Sequence, residues 1–182
     1  MAGRVSLATV DDISDLVEIF WEAFSGAGEL VFPHTDDGRK WLERSFDNFL
    51  RLKSYYKPES KIAVKTRWAR CDNTPGVDED KLAGFFGPLS KAHCLVVGKE
   101  GHTARTVIEL AMAKSTSRGE EYASALVRWA TGLADELDIP CYLDAGVRGT
   151  GICDQCGFKA QDVESRYGGP PPCTPMLRPR RR

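Results

Sequence analysis

Glu109 is the residue whose type and setting in this chain best fit acid-base chemistry. It lies within residues 106–112, an apolar run that predicts a strand. A strand carboxylate facing a cleft can deprotonate an ammonium substrate, directly or through a water molecule. A solvated or salt-bridged strand residue would leave the same pattern, so both interpretations stay open. Glu109 is therefore the candidate general base.

Cys153 and Cys156 form a Cys-x-x-Cys motif that could be half of a zinc site or a redox pair. A structural zinc ion requires four ligands, and the sequence has neither a second such motif nor a His-x-x-x-His pair. The spacing therefore favours packed thiols over metal or redox chemistry.

Other reactive residues lack a catalytic pattern. His93 and Cys94 are adjacent, so on a strand they would point to opposite sides and could not form a nucleophile-base pair. The chain has no Gly-x-Ser-x-Gly elbow, no P-loop and no strand-linked Gly-x-Gly-x-x-Gly. Hydrolase, kinase and dehydrogenase functions therefore lose their usual support. We assign no function to the arginines of residues 178–182.

Composition limits the class of partner. The 182 residues carry 25 Lys and Arg against 26 Asp and Glu, so a net charge of -1 provides no field that would attract nucleic acid. No apolar run approaches the roughly 20 residues of a membrane span, and the first residues lack the apolar core of a secretory signal. We expect a cytoplasmic protein with reduced cysteines and a small-molecule substrate, binding neither nucleic acid nor membrane.

The elements that must position these residues begin with two helices. Thr9 and Asp12 form a capping box before a helix that should end near Ser25. Thr35 or Asp36 caps a second amphipathic helix that ends before Pro58. The predicted buried positions are Ile13, Leu16, Val17, Phe20 and Phe24 in the first helix and Leu42, Phe46, Phe49 and Leu50 in the second.

The middle of the chain predicts strands. Alternation over residues 61–68 and the apolar run 82–86 indicate a hairpin closed by Gly87 and Pro88. Residues 93–97 predict a short strand, and residues 106–112 a longer one.

The C-terminal half predicts a strand-helix-strand unit with parallel strands. Its helix starts near Arg118 and carries one apolar stripe, formed by Tyr122, Leu126, Trp129, Leu133 and Leu137. A buried strand over residues 141–144 and a short helix ending at Gly157 follow. We expect one mixed α/β domain over residues 1–169, with a mostly antiparallel sheet flanked by helices. Residues 170–182 should form a Pro/Arg-rich tail with at most one edge strand, near Met176.

In order and type, these pieces resemble the GNAT superfamily of acyl-CoA N-acyltransferases, particularly its small fungal members. The similar segments are residues 5–13, 108–110, 124–129, 140–145, 156–158 and 167–169. The resemblance covers nearly the whole chain and implies a GNAT-like fold.

The resemblance also implies a cosubstrate, acetyl-CoA. Its pantetheine arm would enter a V-shaped opening between the fourth and fifth strands of the family, here against the backbone of Leu110, Ala111 and Met112. Its pyrophosphate would rest on a helix start, where free amides and the helix dipole attract anions. The residues at that helix start are Arg118, Gly119, Glu121, Tyr122, Ala123 and Ser124.

Two positions depart from the family pattern. Glu121 stands where the family has a glycine, and a carboxylate about 4 Å from a phosphate costs roughly 4 kcal/mol at an effective dielectric of about 20. Cys153 stands where the family often has a tyrosine that protonates the leaving thiolate. A thiol can donate a proton to another thiolate but is shorter than a phenol, and an inert packed cysteine is the alternative.

Two functions follow from the resemblance and these departures. The first is transfer of acetyl from acetyl-CoA to a small amine or related metabolite, with Glu109 as base and Cys153 as acid. The second is a fold that has lost CoA chemistry and acts on another small, apolar metabolite. It would be a cyclase, isomerase or lyase of secondary metabolism, or a non-catalytic binding module. Affinity for CoA separates the two.

Overall fold

A computed structural model describes residues 5–24, 33–52, 75–97, 106–117, 122–163 and 173–181. The chain divides into two units. We call residues 6–84 and 112–118 the helical unit, and residues 1–5, 85–111 and 119–182 the sheet unit. The single domain expected over residues 1–169 stays a prediction.

The helical unit contains the two predicted helices, α1 (Ile13–Ala23) and α2 (Asp36–Leu52). Their apolar faces pack together, with the rings of Phe20 and Phe46 edge to face at 6.0 Å. Arg39 of α2 forms an ion pair with Glu18 of α1. The buried apolar side chains of the pair are Val17, Phe20, Trp21, Trp41, Leu42 and Phe46.

Both helices begin as the sequence predicts. Ahead of α1, one helical turn covers Val10–Asp12, and the Asp12 carboxylate accepts hydrogen bonds from the backbone N–H (2.7 Å) and the hydroxyl (3.0 Å) of Thr9. At α2, the hydroxyl of Thr35 accepts a hydrogen bond from the N–H of Gly38 at 3.1 Å. Side-chain oxygens at these positions satisfy amides that the helix itself leaves without acceptors.

Helix α3 (Glu79–Val97) corrects the predicted middle of the chain. The strands expected over residues 82–86 and 93–97 are wrong, and Pro88 lies inside the helix. Asp78 caps it, because its carboxylate accepts the N–H groups of Asp80 and Lys81. Short apolar runs fit a strand and a helix equally well. The strand expected over residues 61–68 lies outside the described residues.

The sheet unit contains a four-stranded mixed sheet among the described residues, in the order β1-β2-β4-β3. The strands are β1 (Thr106–Ile108), β2 (Cys141–Ala145), β3 (Lys159–Ala160) and β4 (Thr174–Arg178), and the helices are α4 (Tyr122–Glu136) and α5 (Thr150–Gln155). β1 and β2 are parallel, with Ile108 beside Leu143, whereas β4 runs antiparallel to both of its neighbours. The predicted mixed α/β class and the parallel strand-helix-strand unit are confirmed.

The segment expected as a tail contributes an inner strand. β4 lies between β2 and β3, so the expectation of at most an edge strand near Met176 is wrong. Pro175 and Met176 are both buried, and the carbonyl of Pro175 accepts the N–H of Gln161 at 2.9 Å. A single proline near the start of a strand is tolerated, and the buried residues after it offset the missing donor.

The core of the sheet unit lies between the sheet and α4. Buried Val127 and Ala134 of α4 pack with side chains of the sheet, of α5 and of the residue before β3, namely Cys141, Leu143, Ala145, Cys153, Phe158 and Met176. The predicted stripe of α4 lies on its exposed side, where half of the Trp129 side chain is accessible. Among the described residues, no helix combines the length and the apolar character that crossing a membrane requires.

Candidate functional site

The candidate site is the place where β1 and β2 stop pairing. β1 ends at Ile108, whereas β2 continues through Asp144 and Ala145. Side chains alternate along a strand, and Leu143 of β2 points into the core with α4. Asp144 therefore belongs to the opposite face of the sheet.

Tyr142 shares that face and holds Asp144 in position. Its hydroxyl donates a hydrogen bond to Oδ1 of Asp144 at 2.8 Å. The Tyr142 ring is almost completely buried and stacks on His93 of α3, with centroids 4.4 Å apart and planes 18° from parallel. Burial of the ring and the stacked imidazole of His93 thus hold the hydroxyl group that donates to the carboxylate.

The environment of Asp144 changes its protonation. Burial raises the pKa of Asp144 to about 6, and the hydrogen bond from Tyr142 opposes part of this rise. Cys173, just before β4, lies close enough that the charge of Asp144 adds to the effect of burial in raising the thiol pKa. A carboxyl group with a pKa near 6 can both accept and donate a proton close to neutral pH.

Glu109, the predicted base, directly follows β1. It is half-buried, with its Oε2 atom buried. If the parallel pairing continued by one residue, Glu109 would lie beside Asp144. Glu109 thus directly follows the last paired residue of β1, and Asp144 directly follows the last residue of β2 that pairs with β1.

The structure describes some of the other predicted binding residues. Leu110 is half-buried and Ala111 exposed, directly after Glu109, whereas Met112 belongs to the helical unit. In the first turn of α4, Tyr122 is exposed, and Ala123 and Ser124 are half-buried. Arg118, Gly119 and Glu121 lie outside the described residues.

Cys153, the predicted acid, lies in the hydrophobic core on α5. Only 6% of its surface is accessible, and burial raises the pKa of its thiol. Cys156 is half-buried, and both are free cysteines. Within the described part of the chain, no three His, Cys, Asp or Glu side chains are arranged to hold a metal ion. This environment fits a packed thiol.

Sequence reasoning missed Asp144, Tyr142 and His93 as site residues. The two-residue spacing of Tyr142 and Asp144 on a predicted strand was a usable signal, because such residues share one face. The contribution of His93 had no such signal, because it depends on α3, where the sequence predicted strands.

Two comparisons with known proteins, with family models and with curated proteins, found no match.

Proposed function

We propose that this protein is an N-acyltransferase of the GNAT type, which transfers an acetyl group from acetyl-CoA to a small amine. One observation carries the proposal. A parallel strand pair joined by α4 stops pairing at Ile108, and a carboxyl group with a pKa of about 6 lies at that point. The resemblance implies a V-shaped opening between the fourth and fifth strands of the family, and in this proposal those strands are β1 and β2.

The cosubstrate would lie along the chain that leaves β1. Leu110 and Ala111 come directly after Glu109, beyond the last residue of β1 that pairs with β2, and in this proposal their backbone groups bind the amides of the pantetheine arm. The first turn of α4 follows on the same unit, and free amides at a helix start attract a pyrophosphate. Ala123 and Ser124 there are small enough for close approach of the ligand to the backbone.

Asp144 is the proposed general base. At neutral pH a group with a pKa of about 6 is mostly ionised, so its carboxylate accepts a proton from the ammonium form of the substrate. The free amine then attacks the thioester carbonyl, the carbon-sulfur bond breaks, and CoA leaves as a thiolate. Tyr142 keeps the carboxylate oriented through its hydrogen bond.

Two residues from the sequence analysis change roles in this scheme. Glu109, which directly follows β1, takes the role of attracting the ammonium group through its negative charge. Cys153 has no role in proton transfer, because its buried thiol, with a raised pKa, packs in the core on the α4 side of the sheet. Solvent protonates the departing thiolate instead.

Calorimetric titration with acetyl-CoA and with free CoA is the first test. We expect micromolar binding of both, and tighter binding in a Glu121→Gly variant, which removes a carboxylate from the predicted pyrophosphate loop. Absence of binding by folded protein would refute the acyltransferase proposal and favour CoA-independent chemistry on another small metabolite.

Kinetics then identify the base. With a panel of small amines and a thiol-release assay, Asp144→Asn should lower kcat by about 100-fold or more. The acidic limb of the pH-rate profile, near the pKa of about 6, should disappear with it. Glu109→Gln is the matched carboxylate control and should chiefly raise KM. A Glu109→Gln variant that loses the acidic limb while Asp144→Asn keeps it would return the role of base to Glu109.

A further inference from the structure

A second concave site lies along the C-terminal half of α4. A cleft of about 590 Å³ opens between α4, the end of α5 and the residues that follow β4. This volume is in the range of roughly 300 to 1,000 Å³ that is typical of small-ligand sites. All of its lining residues belong to the sheet unit.

The cleft is strongly cationic. Its lining includes four arginines, Arg128, Arg178, Arg180 and Arg181, and a single carboxylate, Asp135. Three positive charges therefore remain in one small concave surface of a chain whose net charge is -1. Positive charges grouped in this way raise the concentration of anions at the opening of the cleft.

One ion pair fixes the floor of the cleft. Arg178, at the end of β4, donates two hydrogen bonds to the Asp135 carboxylate, at 2.6 and 2.8 Å. Its side chain is only 9% exposed. Arg181 approaches the same carboxylate at 3.4 Å, so Asp135 is occupied from two sides. The Asp135 carboxylate is therefore already paired with Arg178 and Arg181. It does not neutralise the charges of Arg128 and Arg180, the other two arginines of the cleft.

Two arginines remain available on the walls. Arg128 on α4 and Arg180 after β4 are both exposed, and neither forms an ion pair with any residue that the structure describes. Each guanidinium presents a planar fork of donors that matches two oxygens of a phosphate group. Gly157, in the left-handed conformation at φ 87°, lies against Arg178 with no side chain of its own and keeps this part of the cleft open.

We infer that this cleft binds a small phosphorylated ligand through Arg128 and Arg180. The inference is independent of the acyltransferase proposal, because Asp144 and the chain after β1 do not line the cleft. The polar lining, which includes Gln155, excludes a purely apolar ligand. Arg178 and Asp135 form the base of the cleft, and the two Arg178 nitrogens that bond to Asp135 are not assigned to the ligand.

Titration with inorganic pyrophosphate at low ionic strength tests the inference. Arg128→Ala and Arg180→Ala should each weaken binding about tenfold or more, since a charge-assisted hydrogen bond is lost in each. Arg148→Ala, an exposed arginine of the same unit outside the cleft, is the matched control and should bind as the parent protein does. Melting curves without ligand check that all three variants fold.

The ligand class is tested in the same experiment. Succinate, a dicarboxylate, should bind more weakly than pyrophosphate, because it lacks the tetrahedral array of oxygens that two guanidinium forks can share. Equal affinity for succinate would overturn the assignment to phosphate. Absence of pyrophosphate binding, or an equal loss in Arg148→Ala, would overturn the site itself.

Discussion

Replacing Asp144 with asparagine should make the protein more stable at neutral pH. In the folded protein the pKa of Asp144 is about 6, against an ordinary value of 3.8. The folded state therefore binds a proton more tightly than the unfolded chain between these two values, and stability falls as pH rises through that window. The structure thus predicts a carboxylate that opposes folding under the conditions in which it would act as a base.

The magnitude follows from the two pKa values. Their difference corresponds to about 3 kcal/mol at about pH 7, when both states are ionised, and to almost nothing below about pH 4. Because Asp144 is half-buried and water screens part of the effect, we expect a gain of about 1 to 3 kcal/mol for Asp144→Asn. The asparagine oxygen can still accept the hydrogen bond from Tyr142, so the local geometry is kept.

Urea unfolding followed by circular dichroism, over a series of pH values, measures this effect. The stability difference between Asp144→Asn and the parent should grow from near zero in acid to its full value above the pKa. Asp154→Asn, at an exposed aspartate of α5, is the control and should not reproduce that growth. A difference that is constant with pH, or a variant that is less stable at neutral pH, would refute the reasoning.

Four further substitutions test the surroundings of the site, the core and the turn after α5. Tyr142→Phe removes a hydrogen bond that lowers the pKa of Asp144, so this pKa should rise in a carbon-13 NMR titration; an unchanged value would contradict the assigned contact. Phe158→Ala should cost about 3 to 5 kcal/mol in urea unfolding, whereas Leu126→Ala on the exposed side of α4 should cost less than about 0.5 kcal/mol. Gly157→Ala should cost about 1 to 2 kcal/mol, because its backbone is left-handed; a neutral result would argue against that conformation.

Elements with strong local signals could be predicted from the sequence. The capping box of Thr9, the helix α4 and the positive φ of Gly157 all follow from short-range chemistry. Such signals depend on residues within one turn of each other, so the rest of the fold does not alter them. The parallel pair around α4 follows in turn, because a strand-helix-strand unit leaves few alternatives.

Features that depend on distant residues could not be predicted. Arg178 and Asp135 are 43 residues apart, and only the pairing of β4 with β2 brings them together. The stripe of α4 that includes Trp129 has the spacing of a buried face, yet Val127 and Ala134 form the face that packs on the sheet. Periodicity identifies a helix, but it does not say which apolar side the sheet will cover.

The choice of the candidate base between Glu109 and Asp144 also depends on distant residues. Glu109 was recognisable because it is a charged residue in an apolar run. The importance of Asp144 depends on burial, on Tyr142 and on the point at which β1 ends, and none of these is local. A carboxylate's pKa is set by its three-dimensional surroundings, so sequence can suggest the residue but not its proton affinity.

The position of β4 in the sheet has a consequence for how the chain folds during its synthesis on the ribosome. β4 is synthesised after every other described strand, yet it is the strand that joins β2 to β3. Until residue 178 has left the exit tunnel, β2 and β3 lack the strand that pairs with both of them, and their edges stay open. The hydrophobic core of the sheet unit also lacks Met176 until then. We therefore expect the nascent sheet unit to need chaperone protection until this strand has left the exit tunnel, and a premature stop before Thr174 to give an aggregating product.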